Sequence, residues 1–199
     1  MVKAAFVASL CFLSAAIMPR AGMAADLTTL ALQWPSEYVV TGTKTEPTYI
    51  EHIRLERMGD IFTLEGGAPA GMAPSRATIA ITDLGRLRYL ACPAPANCRN
   101  GAVPSGFLAS AAIVALTRRG KLELTLPPLR YGKFDVVCVP GEAIGIARPV
   151  LDPCVEIHTG AVIAQRHRLS HRFDGLSLDP WSIKIAIPGQ VVMLEPQGP

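Results

Sequence analysis

The stretch His52-Ile-Arg-Leu-Glu-Arg-Met-Gly-Asp-Ile-Phe-Thr-Leu64 decides how the rest of the chain is read. Ile53, Leu55 and Arg57 fall on one side of a two-residue period, and His52, Arg54 and Glu56 on the other. That period places alternate side chains on opposite faces of a strand. Met58-Gly59-Asp60 interrupts the run, and Ile61-Phe-Thr-Leu64 follows at once. Strand, short glycine turn, strand is the signal of a β-hairpin.

The same grammar recurs outward from this point. Ala77 to Thr82 alternates, and Asp83-Leu-Gly-Arg86 separates it from Leu87-Arg-Tyr-Leu90. Leu122-Glu-Leu-Thr-Leu126 alternates cleanly. Arg118-Arg-Gly-Lys121 reads as the turn joining it to the apolar run Phe107–Leu116, itself read as a buried strand or short core segment. His158-Thr-Gly160 lies between Val155 and Ala161-Val-Ile163. Val136, Cys138, Ile183, Ile185 and Ile187 extend the pattern, and β-branched residues are plentiful.

Helix evidence is thin. No segment keeps a 3.6-residue apolar period over three turns with caps at both ends, and prolines are spread throughout. Leu27–Gln33 and Arg166–Arg172 could each hold one helical turn. The sequence therefore predicts an all-β protein: a single antiparallel β-sandwich or barrel of roughly ten short strands, with little helix. Glu65–Arg76, rich in Gly, Ala and Pro, reads as a surface loop.

The chain has 199 residues, 50% of them hydrophobic and 18% charged, with a net charge of +3. There is ample apolar material for a core, which excludes a largely disordered chain. The totals mix two objects. Met1-Val-Lys3, an apolar run from Ala4 to Met18, Pro19 and the small residues before Ala24 read as a secretory signal peptide over residues 1–24. The apolar stretch is shorter than the roughly 20 residues a membrane helix needs. Residues 25–194 then form one β-rich domain, and residues 195–199 a disordered tail.

Lys3 and Arg20 leave with the leader, so the remaining chain is close to neutral. A nucleic-acid binder needs a strong basic field, and none is present. No transmembrane segment follows the leader, although peripheral membrane association stays compatible with the sequence. Four cysteines remain, Cys92, Cys98, Cys138 and Cys154. In an oxidising compartment they pair. Each of Cys92–Cys98 and Cys138–Cys154 brackets one local loop, so two disulfides are expected. Neither spacing is the Cys-x-x-Cys of zinc or redox sites.

Arg166, Arg168 and Arg172 form the densest positive cluster and are the candidates for an anion or an acidic partner surface. His167 and His171 are interleaved with them; four residues apart, they would share a helical face, with Asp174 as a third metal ligand. Three arginines make a poor home for a dication, and this set is a weak metal candidate. No cofactor motif is present: Gly141-Glu-Ala-Ile-Gly145 lacks the ending of a P-loop. No Gly-x-Ser-x-Gly elbow occurs, so no catalytic residue is assigned.

The function expected is that of a periplasmic or secreted, non-catalytic interaction protein, an accessory or scaffold subunit of a larger exported or membrane-attached complex. Four lysines against thirteen arginines beyond the leader fit an interface, which favours Arg over Lys. The alternative is a carrier of an apolar molecule or lipid in a β-barrel pocket. A hydrolase or metal site at His167 and His171 ranks third.

Overall fold

The computed structural model describes residues 24–45, 47–66, 75–92, 105–146, 150–178 and 183–188. In chain order the elements are β1 (Ala25–Asp26), α1 (Leu27–Gln33), β2 (Glu37–Thr45), β3 (Ile50–Met58), β4 (Ile61–Gly66), β5 (Ser75–Ile81) and β6 (Leu87–Ala91). There follow α2 (Ala109–Arg118), β7 (Thr125–Leu126), β8 (Leu129–Tyr131), β9 (Phe134–Cys138), β10 (Leu151–Glu156), β11 (Val162–His167), β12 (Phe173–Gly175) and β13 (Lys184–Ala186). Among the described residues the chain is mostly β with two short helices, and every strand pair is antiparallel.

Two larger sheets and one small one result. The first has the order β13-β2-β3-β4-β5-β6, the second β12-β11-β10-β9-β8, and β1 pairs with β7. Three of the four expected hairpins are present: β3–β4, β5–β6 and β10–β11. The alternation in β3 holds, with Ile53, Leu55 and Arg57 all buried. Arg57 keeps only 5% of its surface exposed. Its guanidinium donates to Pro35 O (2.9 Å) and Gly59 O (3.1 Å) and lies 5.1 Å over the Phe62 ring.

The fourth hairpin is not there. Phe107–Leu116 is no strand: Gly106–Leu108 makes a short 3-10 turn and runs directly into α2. Ser105 caps the turn through the Phe107 amide (3.3 Å). Four alanines supply the strongest helix propensity available. Arg118-Arg119-Gly120-Lys121 is the helix end, not a hairpin turn. Gly120 sits at φ +61°, its amide donates to Thr117 O (3.0 Å), and the Lys121 amide donates to Leu116 O (2.9 Å). Those two bonds make a Schellman cap. A short apolar run without period is equally compatible with a buried strand and a buried helix, and the capping glycine imitates a hairpin turn. Leu122–Leu126 shrinks accordingly to the two residues of β7. Leu122 is instead buried, and its carbonyl takes the Thr28 hydroxyl of α1.

α2 is buried almost all round. The Gly106–Arg118 segment packs on β4, β5 and β6 of one sheet and on β10 and β11 of the other. Both sheets, α1 and α2 therefore share one hydrophobic cluster. Ser110, on α2, is buried and donates its hydroxyl to Gly160 O, in the turn between β10 and β11. The buried Tyr38 phenol of β2 lies beside the same hydroxyl. Gly160 adopts φ +72°, and a Cβ there would stand 2.2 Å from the Trp34 indole, so only glycine fits. Trp34 donates its Nε1–H to Ile157 O (3.0 Å). Buried Glu156 holds the turn from inside, accepting from the His158 amide (3.1 Å), the Thr159 amide (2.8 Å) and the Thr159 hydroxyl (2.7 Å).

The sheets also meet away from α2. Lys44 of β2 pairs with Asp174 of β12 at 3.3 Å, and the Ser177 amide donates to Thr43 O (2.6 Å). Cys138 and Cys154 face each other directly across β9 and β10 and form a disulfide. Closing a loop of this length restricts the unfolded chain by about 3 kcal/mol in the chain-entropy account. Of the two expected disulfides this one lies wholly within the described residues. The expected Cys92–Cys98 pair does not, because Cys98 lies outside them, as do residues 1–23, the middle of the Glu65–Arg76 stretch and the C-terminal residues 189–199.

Burial pushes the Tyr38 phenol up to about 12 from its ordinary value of 10.0. Between these values the unfolded chain has released a proton that the folded chain still holds, so rising pH favours unfolding. A shift of this size corresponds to roughly 2–3 kcal/mol. Urea titrations from pH 9 to pH 12 are expected to show stability falling steeply in the parent and less steeply in Tyr38→Phe. An equally steep fall in both would contradict the burial of this phenol.

Candidate functional site

The candidate arginines lie on the hairpin formed by β11 and β12. Arg166 and His167 end β11, Arg172 precedes β12, and Arg168–His171 make the tip. The His167 amide donates to Arg172 O (2.8 Å) and the His171 amide to His167 O (2.9 Å), closing the turn. His171 adopts φ +57°, a left-handed conformation in which His is among the better tolerated residues. This is the tip of a β-hairpin, so the helical spacing that aligned His167 with His171 does not apply.

Arg168 does not offer its charge outward. Its guanidinium donates to Asp152 Oδ1 through Nε (2.9 Å) and Nη2 (2.8 Å), and Nη2 also meets Glu142. Asp152 Oδ1 further accepts from the Gly141 amide (3.0 Å). Arg168 thus ties the tip to the turn that follows β9. Arg166 Nη2 lies 3.0 Å from His171 Nδ1. A guanidinium can only donate, so His171 accepts at Nδ1. Arg172 is exposed, with no carboxylate within 4.0 Å among the described residues. Of the three candidates, Arg168 is held in ion pairs, Arg166 is half-buried against His171, and Arg172 is exposed.

The metal set does not assemble. His167 is half-buried across from Leu151, His171 serves Arg166, and Asp174 is paired with Lys44. Among the described residues no three His, Cys, Asp or Glu side chains converge as a metal site would require. Among the same residues no helix is long and apolar enough to cross a membrane.

The tip carries an apolar group as well. Leu169 is 95% exposed, and Val150, whose carbonyl takes the Arg168 amide, is 62% exposed. The hairpin therefore presents an apolar tip inside a basic collar, on a base held by the Arg168 ion pairs. Nothing in the local sequence marked Leu169; only its position at the turn does. A second basic set, Arg86, Arg88 and Arg119, lines a groove beside α2. Sequence reasoning missed it because the β5–β6 turn and the C-terminus of α2 meet only in the fold.

Comparison with known proteins gives no further guide: no family model, no curated protein and no solved structure matches this chain.

Half-exposed ion pairs contribute little to global stability, typically below about 1 kcal/mol. Arg168→Ala is accordingly expected to leave the urea midpoint nearly unchanged while speeding amide hydrogen exchange at residues 168–171. Loss of several kcal/mol of global stability, or unchanged exchange at the tip, would contradict the anchoring role of Arg168.

Proposed function

We propose that the protein is an exported, non-catalytic interaction protein that docks through the β11–β12 hairpin onto an acidic protein surface. The observation carrying this reading is the tip itself: Leu169 at 95% exposure, with half-buried Arg166 and exposed Arg172 on either side of it in the hairpin. Arg combined with an apolar anchor is the chemistry that interfaces concentrate. The ion pairs of Arg168 with Asp152 and Glu142 hold the base of the hairpin, which lowers the ordering cost of binding.

The leader read over residues 1–24 supports export to the periplasm or beyond. The Cys138–Cys154 bridge suits the oxidising compartment such a leader implies. Residues 25–194 are read as one sandwich-like domain, its two larger sheets packed about α2. An accessory subunit of a larger complex is the role this combination fits best. A carrier with an enclosed barrel pocket fits less well, since the strands form separate sheets rather than one closed barrel among the described residues and α2 is buried almost all round.

Size-exclusion chromatography of native extract tests the reading. The tagged parent is expected to elute with a partner, more weakly at high salt, because exposed charge pairs are screened. A chain carrying Leu169→Asp, Arg166→Glu and Arg172→Glu, folded by circular dichroism, is expected to elute alone. A parent that always elutes as a lone monomer, or a triple variant that keeps its partner, would overturn the proposal.

A further inference from the structure

A groove of about 610 Å³ opens where the β5–β6 turn, α2 and the turn at Gly141–Ile144 come together. Its volume lies in the range of small-molecule sites, roughly 300–1,000 Å³. Ala112, Ala115, Leu116 and Arg119 line it from α2. These positions are spaced i, i+3, i+4 and i+7, so they form one stripe of the helix. The two alanines leave the space, and Ile144 adds to the apolar floor from the opposite wall.

The rest of the lining is basic. Arg86 and Arg88 come from the β5–β6 hairpin and Arg119 from the end of α2. Arg119 lies against Gly85: a Cβ on Gly85, which has φ +67°, would come 2.8 Å from Arg119 Cγ. Glycine is thus needed there both for the turn and for seating Arg119. No Asp or Glu lines the groove. Among the described residues none of the three arginines has a carboxylate within 4.0 Å. Arg118, one residue earlier, is by contrast paired with Asp60.

We propose that this groove binds a single-chain anionic amphiphile of the long-chain carboxylate type, its headgroup on Arg86, Arg88 and Arg119 and its chain on the α2 stripe. Guanidinium groups bind carboxylates through paired hydrogen bonds, and the chain gains by leaving water. A nucleotide suits the groove poorly, because no aromatic side chain lines it for base stacking. The site is separate from the β11–β12 hairpin, and neither reading depends on the other.

Isothermal titration of the full chain with sodium dodecanoate below its micellar concentration tests the assignment. One-to-one binding is expected, with dodecyl maltoside and acetate each at least about tenfold weaker, since the site needs both the charge and the chain. Arg86→Ala, Arg88→Ala and Arg119→Ala combined are expected to weaken dodecanoate by about tenfold or more while leaving circular dichroism unchanged. Leu169→Asp is expected to leave the affinity intact. Amide shifts on binding are expected at Gly85, Ala112 and Ala115. Absence of binding, equal binding to the triple variant, equal binding of the neutral detergent or of acetate, or shifts confined to other regions would each overturn the proposal.

Discussion

The hydroxyl of Ser110 ties α2, which packs on β5 and β6 of the first sheet, to the turn between β10 and β11 of the second. It donates to Gly160 O, and the buried Tyr38 phenol of β2 lies beside it. A hydroxyl buried at this depth costs stability unless it is paired, so the bond selects one docking of α2 against both sheets. Trp34 covers Gly160 and leaves no room for a side chain there. With α2 fixed, β10 and β11 are fixed, and with them the hairpin that continues into β12. The stripe from Ala112 to Arg119 also takes its direction from this docking, which is why the groove lies between α2 and the β5–β6 turn.

The arginines divide by what answers them. Arg57 is buried on backbone carbonyls and the Phe62 ring. Arg118 answers Asp60, Arg130 answers Asp135, and Arg168 answers Asp152 and Glu142. Arg86, Arg88, Arg119 and Arg172 have no such partner among the described residues. Among the described residues these unanswered arginines fall at two places, the groove and the hairpin. Both sit beside exposed or accessible apolar groups, and this pairing of cation and apolar surface is what a partner or ligand can use.

Sequence alone made strands legible where alternation stood beside a glycine turn. β3 alternates, and the turns of β3–β4, β5–β6 and β10–β11 carry Gly59, Gly85 and Gly160 at positive φ. β2, which alternates without such a turn before it, was missed. α2 was not legible, because it is apolar on every side and so has no period to read. Its capping Gly120 then made the neighbouring Leu122–Leu126 look like a hairpin partner. The site was legible only in part. The cluster at residues 166–172 is local, so its charge density could be counted. That Arg168 would be neutralised by Asp152 and Glu142, and that Arg86 and Arg88 would meet Arg119, depends on contacts between segments far apart in the chain.

The central claim is that α2 makes the two larger sheets one cooperative unit. Native-state hydrogen exchange across a denaturant series measures this directly, since each amide reports the free energy of the opening that exposes it. The slowest amides of β2–β5 and those of β9–β11 are predicted to converge on one global unfolding free energy. They should fall together when Ser110→Ala removes the shared bond. If β9–β11 opened at a distinctly lower free energy than β2–β5, or if Ser110→Ala weakened one sheet alone, the two sheets would be separate units and the account would be wrong.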